Sequence, residues 1–229
     1  MEQALDRLEQ FVHSGKPHLV VTANPEMVMK ARRDPLLQEI LQRADLVVAD
    51  GIGVVWASGV LRQAVPERIP GIELAEGLLK RAAEKKWRVF FLGGEPGVAD
   101  KAAAAVQKRW PGLEIAGTYH GFFRGPEEEE LLARLKELRP DVLLAALGVP
   151  RQEKWLAAHL AQLKIPVAVG VGGSFNVWAG VDKRAPMWMR KLNLEWLYRL
   201  IRQPWRIKRM AVLPVFVLTV WKERAAGRR

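Results

Sequence analysis

Short apolar segments alternate with amphipathic segments along most of this chain. Six of the apolar runs have the length and the β-branched character of buried strands, and we predict strands there. They are HLVVT (18–22), DLVVA (45–49), RVFFL (88–92), LEIAG (113–117), DVLLAAL (141–147) and VAVGV (167–171). Because apolar strands joined by helical segments form parallel sheets covered on both faces, the pattern predicts a doubly wound, mostly parallel, Rossmann-like α/β sheet.

Capping residues mark the predicted helix ends. An amphipathic helix is expected from Gln3 to His13, with Gly15 as its stop. After the first strand, Asn24 is suited to cap a helix and Pro25 to occupy its first position. The first strand therefore leads into a helix without the glycine fingerprint of a dinucleotide site, which counts against NAD binding.

The positive charge is concentrated in the tail. The 229 residues carry a net charge of +11, and the segment from Pro186 onward, with 11 basic and two acidic residues, accounts for +9 of it. The tail also holds four tryptophans and a tyrosine, and an apolar run from Met210 to Trp221, which Pro214 interrupts. Twelve residues are too few to cross a bilayer, which takes roughly 20.

Basic and aromatic residues beside a short apolar run are typical of a segment that lies in a membrane interface. We therefore predict a catalytic domain over residues 1–190 and a basic, Trp-rich, helical, membrane-associating appendage over residues 191–229. The alternative is a C-terminal helix pair that packs on its own domain or on a partner subunit. Nucleic-acid binding is disfavoured, because it would leave the apolar run without a role.

Composition narrows the chemistry further. The chain has no cysteine, and its four histidines are scattered, so we expect neither a disulfide nor a metal site, and no cofactor. The first residues are acidic and amphipathic rather than basic and then apolar, so we expect no export signal and a cytoplasmic location.

Polar and glycine residues follow the predicted strands. In an open α/β sheet these positions meet at the carboxyl edge, where ligands bind. They include Thr22, Asn24, Asp50, Gly93, Gly94, His120, Gln152, Gly172 and Gly173. We therefore expect them to surround one crevice.

Asp50 ends an apolar run and precedes two glycines, in LVVADGIGV (46–54). One interpretation makes it a general base, since partial burial raises a carboxyl pKa toward the useful range. The other makes it only the N-cap of the next helix. The sequence leaves both interpretations open. Gly51 and Gly53, which follow Asp50, are candidates for binding phosphate through backbone N–H groups at a helix N-terminus.

Several groups are suited to a diphosphate and a sugar. Gly93–Gly94 and Gly170–Gly173 are candidate phosphate loops, although close strand-to-helix packing explains glycines equally well. Arg68 lies in a Pro-rich loop over the same edge. At helical spacing recur Arg199, Arg202, Arg206 and Arg209, which share one helical face if Pro204 opens a new turn. Gln152 offers a donor and an acceptor for sugar hydroxyls, or it is a solvated helix start.

Eight segments in order resemble one family. They are TANPE with ADGIGVVWASG, ERIPG, FLGGEPGVA, YHGFF, LGVPRQEKW, VGVGGSF, AGVDKRAP and EWLYRLIRQPWRIKR. Over residues 22–209 the chain is similar to the WecG/TagA/CpsF bacterial glycosyltransferases. The resemblance implies transfer of an N-acetylmannosamine-type sugar from UDP to N-acetylglucosamine on undecaprenyl diphosphate, with inversion, without a metal ion, at the cytoplasmic membrane face.

The resemblance also implies roles for single residues. Asp50 is the expected catalytic base and Arg68 a second catalytic group. The expected substrate-binding residues are Thr22, Asn24, Gln152, Glu153, Gly93, Gly94, Gly172, Gly173, Arg199, Arg206 and Arg209. Two departures stand out: Asn176 replaces the acid of the family's GG-x-F-D motif, and Ala49 replaces a proline.

The expected partners are a UDP-sugar, a polyprenyl-diphosphate-linked sugar and an anionic membrane surface on the inner face of the plasma membrane, with homo-oligomer formation left open. Two alternatives from other classes remain. One is a nucleotide-dependent oxidoreductase on the same sheet. The other is a non-enzymatic module that binds nucleic acid through the tail.

Overall fold

The computed structural model describes residues 1–227, apart from the side chains of residues 206, 208 and 209. Within this range six strands form one parallel sheet in the order β2-β1-β6-β5-β3-β4. They are β1 (His18–Ala23), β2 (Leu46–Ala49), β3 (Arg88–Gly93), β4 (Glu114–Tyr119), β5 (Val142–Ala146) and β6 (Val167–Gly170). Each coincides with a predicted strand, so the predicted doubly wound α/β fold is confirmed.

Helices connect the strands and cover both faces of the sheet. They are α1 (Glu2–Ser14), α2 (Pro25–Ala31), α3 (Pro35–Arg43), α4 (Ile52–Val60), α5 (Gly71–Lys85), α6 (Val98–Arg109), α7 (Pro126–Leu138), α8 (Arg151–Leu163), α9 (Ser174–Trp178), α10 (Met187–Lys191), α11 (Glu195–Arg202), α12 (Ile207–Met210) and α13 (Val212–Ala226). Gly15 ends α1 in the left-handed conformation, as predicted. Asn24 caps α2 by accepting a hydrogen bond from the Met27 amide at 3.0 Å, also as predicted.

Alternate residues of the strands supply two separate cores. In β3, Phe91 packs with α1, α5, α6 and α9 in what we call the first core. Its neighbour Phe90 packs with α7 and α8 in the second core on the other face. Successive side chains of a strand point to opposite faces, so one continuous apolar strand serves both layers.

The C-terminal helix α13 docks on the domain. Phe216 and Val220 of α13 are buried against Met29 of α2 and Ala57 of α4. The opposite side of α13 exposes apolar side chains, with Leu218 62% accessible. One face of the tail therefore packs on its own chain, as the alternative interpretation held, while another face is uncovered. None of the helices within residues 1–227 combines the length and the apolar character needed to span a bilayer.

Candidate active site

The carboxyl ends of β1 and β6 form a crevice. The helix after β1 sends Met27 into the second core, whereas the helix after β6 sends Phe175 into the first core. A crevice opens where neighbouring strands send their connections to opposite faces. Thr22 at the end of β1 bridges it, because its hydroxyl donates a hydrogen bond of 3.1 Å to the carbonyl of Gly170 at the end of β6.

Strand register brings Asp50 to this crevice. Ala23 pairs with Ala49, so the residue that follows each strand leaves the sheet at the same level. The Asp50 side chain accepts a hydrogen bond from the amide of Gly71, the first residue of α5, at 2.8 Å. The interpretation of Asp50 as N-cap of the next helix is wrong, because Gly51 occupies that position for α4. Asp50 instead orients the start of a later helix.

Burial raises the pKa of Asp50 above its ordinary value of 3.8, and the charge of Glu195 raises it further. The hydrogen bond from Gly71 and the charges of Arg199 and Arg68 oppose this rise without cancelling it. A carboxylate with a raised pKa is a stronger base, which suits proton abstraction from a hydroxyl group.

Arg68 reaches the site through the loop between α4 and α5. The next residue, Ile69, donates its amide to the carbonyl of Ala49 at 2.8 Å, which returns the loop to the end of β2. Arg68 is therefore next to the residue whose hydrogen bond fixes the loop, and the charge of Arg68 lowers the pKa of Asp50.

A network of ion pairs ties the appendage to α5. Arg199 of α11 pairs with Glu195 at 2.9 Å, and Glu195 lies 3.9 Å from the Arg184 guanidinium. Arg184 also pairs with Glu73 in the first turn of α5, and Arg190 approaches Glu73 at 3.7 Å. The helix start that holds Asp50 thus also holds the segment that brings Arg199 over the crevice.

A cavity of about 250 Å³ lies between α9 and α11. Its walls include the cationic side chains of Lys183, Arg199 and Arg202 and one acid, Asp182, together with Gly173 and Asn176. Asn176, which replaces the expected acid, therefore faces a cavity rich in positive charge. This charge is suited to an anionic ligand.

The structure distinguishes two pairs among the glycines that were candidates for phosphate binding. The amide of Gly94 donates to the carbonyl of Ala146 at 3.1 Å, and a side chain at Gly93 would collide with that same carbonyl. These two glycines therefore serve strand packing. A Cβ atom at Gly172 or Gly173 would meet no atom within 4 Å, so the loop after β6 is open to a ligand.

Gly51 and Gly53 have a packing role. A Cβ atom on either one would lie within 3.0 Å of the Pro25 ring, at 2.9 Å and 2.7 Å. The two glycines after Asp50 let α4 approach the start of α2. The structure therefore assigns them to packing rather than to phosphate binding.

Gln152 and Glu153 are interior residues, with accessibilities of 2% and 1%. The Gln152 amide accepts from the Gly148 amide at 3.2 Å and donates to the Glu153 carboxyl group at 2.7 Å. Burial raises the pKa of Glu153, against a smaller opposing effect of the Gln152 hydrogen bond and the Lys30 charge. The interpretation of Gln152 as a solvated helix start is wrong, and both polar ends of its side chain are already engaged.

Pro204 opens a new turn within the predicted arginine stripe. Helix α11 ends at Arg202, a 3₁₀ turn spans Pro204–Arg206, and α12 begins at Ile207. The side chains of Arg206 and Arg209 lie outside the described part of the chain. Among the described residues, no three His, Asp or Glu side chains are grouped as metal ligands.

Sequence reasoning missed Glu73, Arg184 and Glu195. Glu73 and Arg184 are 111 positions apart, so no local spacing reveals their pairing. The quoted segment AGVDKRAP contains Arg184, which was the only available signal for it.

Comparison with known proteins identifies the family. A sequence model described as the glycosyl transferase WecG/TagA/CpsF family matches residues 1–229. An N-acetylglucosaminyldiphosphoundecaprenol N-acetyl-beta-D-mannosaminyltransferase of Staphylococcus aureus strain MW2 is 41% identical over 226 residues, covering 98% of this chain and 88% of the relative. Its namesake in strain MRSA252 is 40% identical with the same coverage. The chain therefore belongs to the WecG/TagA/CpsF family of glycosyl transferases.

Proposed function

We propose that this protein transfers an N-acetylmannosamine-type sugar from a UDP-sugar to N-acetylglucosamine carried on undecaprenyl diphosphate, in the synthesis of a cell-wall or surface polysaccharide. The names of the Staphylococcus aureus relatives support the substrates. The observation that carries the chemistry is Asp50, a carboxyl group of raised pKa in the crevice, with the charges of Arg68 and Arg199 acting on it.

The reaction is a single displacement. Asp50 accepts the proton of an acceptor hydroxyl group as that oxygen attacks the anomeric carbon of the donor. The new glycosidic C–O bond forms on the face opposite the UDP, the old bond from the anomeric carbon to the diphosphate oxygen breaks, and UDP leaves with the electron pair. Attack from the opposite face inverts the anomeric centre. General base catalysis of this kind contributes about 10²–10⁴ in rate.

In this proposal, cationic side chains stabilise the leaving diphosphate. Arg199 lines the cavity beside the open Gly172–Gly173 loop, together with Lys183 and Arg202. Fixed cations that face developing negative charge stabilise the transition state more than the ground state. Arg68 assists from the loop that borders Asp50, and Thr22 and Asn24 frame the sugar side of the crevice.

The appendage, residues 191–229, brings the enzyme to the inner face of the plasma membrane in the same proposal. Several large apolar side chains of the tail are exposed, among them Trp205 at 70% and Ile207 at 63%. Together with the basic residues from Pro186 onward, they match the composition of a segment that binds anionic lipid at the interface.

The oxidoreductase alternative has no support from the comparisons. The local structure agrees with this, because β1 leads through Asn24 directly into a proline-initiated helix rather than a glycine-rich dinucleotide turn.

An assay of UDP release tests the function. Purified protein is incubated with a panel of UDP-sugars and a polyprenyl-diphosphate-linked N-acetylglucosamine acceptor, with acceptor lacking the sugar as control. We expect turnover with UDP-N-acetylmannosamine that depends on the acceptor sugar. Turnover with no donor in the panel, or turnover that ignores the acceptor sugar, contradicts the proposal.

A further inference from the structure

The carboxyl group of Glu153 is a feature that the proposed reaction does not use. Glu153 is 1% accessible, and no other Asp, Glu, Lys or Arg among the described residues is buried to this degree. One of its carboxyl oxygens, Oε2, has no hydrogen-bond partner within the described part of the chain. Because burial of an ionisable group is unfavourable, a carboxyl group at this position calls for a specific role.

Glu153 holds the side chain of Gln152. Its Oε1 accepts a hydrogen bond from the Gln152 amide nitrogen at 2.7 Å, while the Gln152 oxygen accepts from the Gly148 amide at 3.2 Å. The Gln152 side chain is therefore fixed at both ends, and its planar amide group has one orientation.

This fixed amide group packs against the end of β6. A Cβ atom added to Gly170 would lie 2.6 Å from the Gln152 amide nitrogen and 3.3 Å from Glu153 Oε1. The two side chains therefore form a wall against the Gly170 backbone.

The contacts continue from Gly170 to the proposed base. The carbonyl of Gly170 accepts the Thr22 hydroxyl at 3.1 Å. The Thr22 side chain in turn packs on Gly71, where an added Cβ atom would lie 3.1 to 3.2 Å from its atoms. The Gly71 amide donates to Asp50 at 2.8 Å. An unbroken series of contacts thus runs from Glu153 to Asp50.

We propose that Glu153 is a positioning residue, which fixes Gln152 against Gly170 and thereby sets the Thr22–Gly71 contact that orients Asp50. This inference rests on the proposed function, in which Asp50 is the base. It assigns to Glu153 an indirect role in place of the contact with substrate expected from the sequence.

The role requires an acceptor oxygen at Glu153 and does not require a negative charge. Burial raises the pKa of Glu153, and the hydrogen bond from Gln152 and the nearby charge of Lys30 only partly oppose this rise. Lys30 itself is engaged with the Val149 carbonyl at 3.1 Å and with Glu26 at 3.0 Å. A glutamine side chain at position 153 therefore supplies an equivalent acceptor.

The test compares E153Q, E153A and E153D in the UDP-release assay at saturating donor and acceptor. We expect E153Q to keep kcat within fivefold of the wild type. We expect E153A and E153D to lose more than fivefold in kcat while the Kd for UDP, followed by tryptophan fluorescence, stays within threefold. The matched control is L156A, which removes a buried side chain of the same helix on the second-core side, and which should lower the Tm without a fivefold loss of kcat.

Each outcome decides the inference. Kcat within fivefold of the wild type for both E153A and E153D overturns it, and so does an equal loss in L156A. A loss in E153Q as large as in E153D also overturns it, because the charge rather than the geometry would then matter. If E153A does not fold, E153D alone carries the comparison with E153Q. A wild-type protein inactive with every donor overturns the proposed function and this inference with it, whereas an active wild type beside equally active variants overturns the inference alone.

Discussion

The carboxyl edge of the sheet and the C-terminal appendage hold their polar residues in different ways. At the sheet edge, hydrogen bonds to the backbone fix Thr22, Asp50 and Gln152, the first of them buried and the other two partly buried. In the appendage, ion pairs between partly exposed side chains fix Arg199, whose side chain is 40% accessible. Buried hydrogen bonds hold one geometry, whereas exposed ion pairs are weak and salt-sensitive. Asp50 is thus held by the backbone of α5, and Arg199 is held by an ion pair whose strength depends on salt.

The largest effect is expected from D50N, which changes the proposed base at the sheet edge. Asparagine still accepts the hydrogen bond from Gly71, but it cannot take the proton of the hydroxyl group on the acceptor sugar. We therefore expect kcat to fall by about 10²–10⁴, while the Kd for UDP stays within threefold. The UDP-release assay and tryptophan fluorescence give the two values. The matched control is D45N, at the opposite end of the same strand, where Asp45 accepts the Leu19 amide. Equal losses of kcat in D50N and D45N would remove Asp50 from the mechanism.

Removing a cation from the appendage should have a smaller effect than D50N. R199Q deletes the charge that lines the cavity and acts on Asp50, and we expect kcat/KM for the UDP-sugar to fall about tenfold, the size of one charged hydrogen bond. The steady-state kinetics should be compared with those of R43Q, because Arg43 is an exposed arginine on α3. A kcat/KM for R199Q no lower than that for R43Q contradicts a role in diphosphate binding.

The two faces of α13 allow a sharper contrast within the appendage. L218E places a charge on the exposed face and should weaken binding to anionic vesicles by about tenfold, with little change in Tm. F216A empties a buried site and should lower the Tm by about 6 °C or more. Vesicle sedimentation and thermal melting separate the two effects. Unchanged vesicle binding by L218E would refute the proposed membrane face.

The smallest effect is a shift in pH dependence. Asp50 must be ionised to accept a proton, so kcat/KM should fall as the pH drops through its raised pKa. Since Glu195 contributes to raising this pKa, E195Q should move the acidic limb of the kcat/KM profile to lower pH. The control is E223Q, because Glu223 pairs with Arg32 and is not among the charges with the largest effects on Asp50. An acidic limb that stays in place or moves to higher pH in E195Q contradicts this account.

The sheet and its edge were predictable because their signals are local. Apolar runs gave all six strands, and the residue types at Asn24 and Pro25 gave the start of α2. The partner of Asp50 was not predictable, since Gly71 is 21 residues away and joins it only through the fold. Burial of Gln152 and Glu153 was also hidden, because polar residues in a first helical turn usually face solvent.

The docking of α13 has a consequence for the integrity of the whole chain. Phe216 and Val220 cover Met29 and Ala57, and these lie on α2 and α4, the helices that begin just after Asn24 and Asp50. A chain shortened before Val212 uncovers apolar surface that α13 otherwise covers. We expect such a fragment to aggregate through that surface. A lower turnover of the fragment would therefore reflect aggregation as well as the loss of a lipid contact.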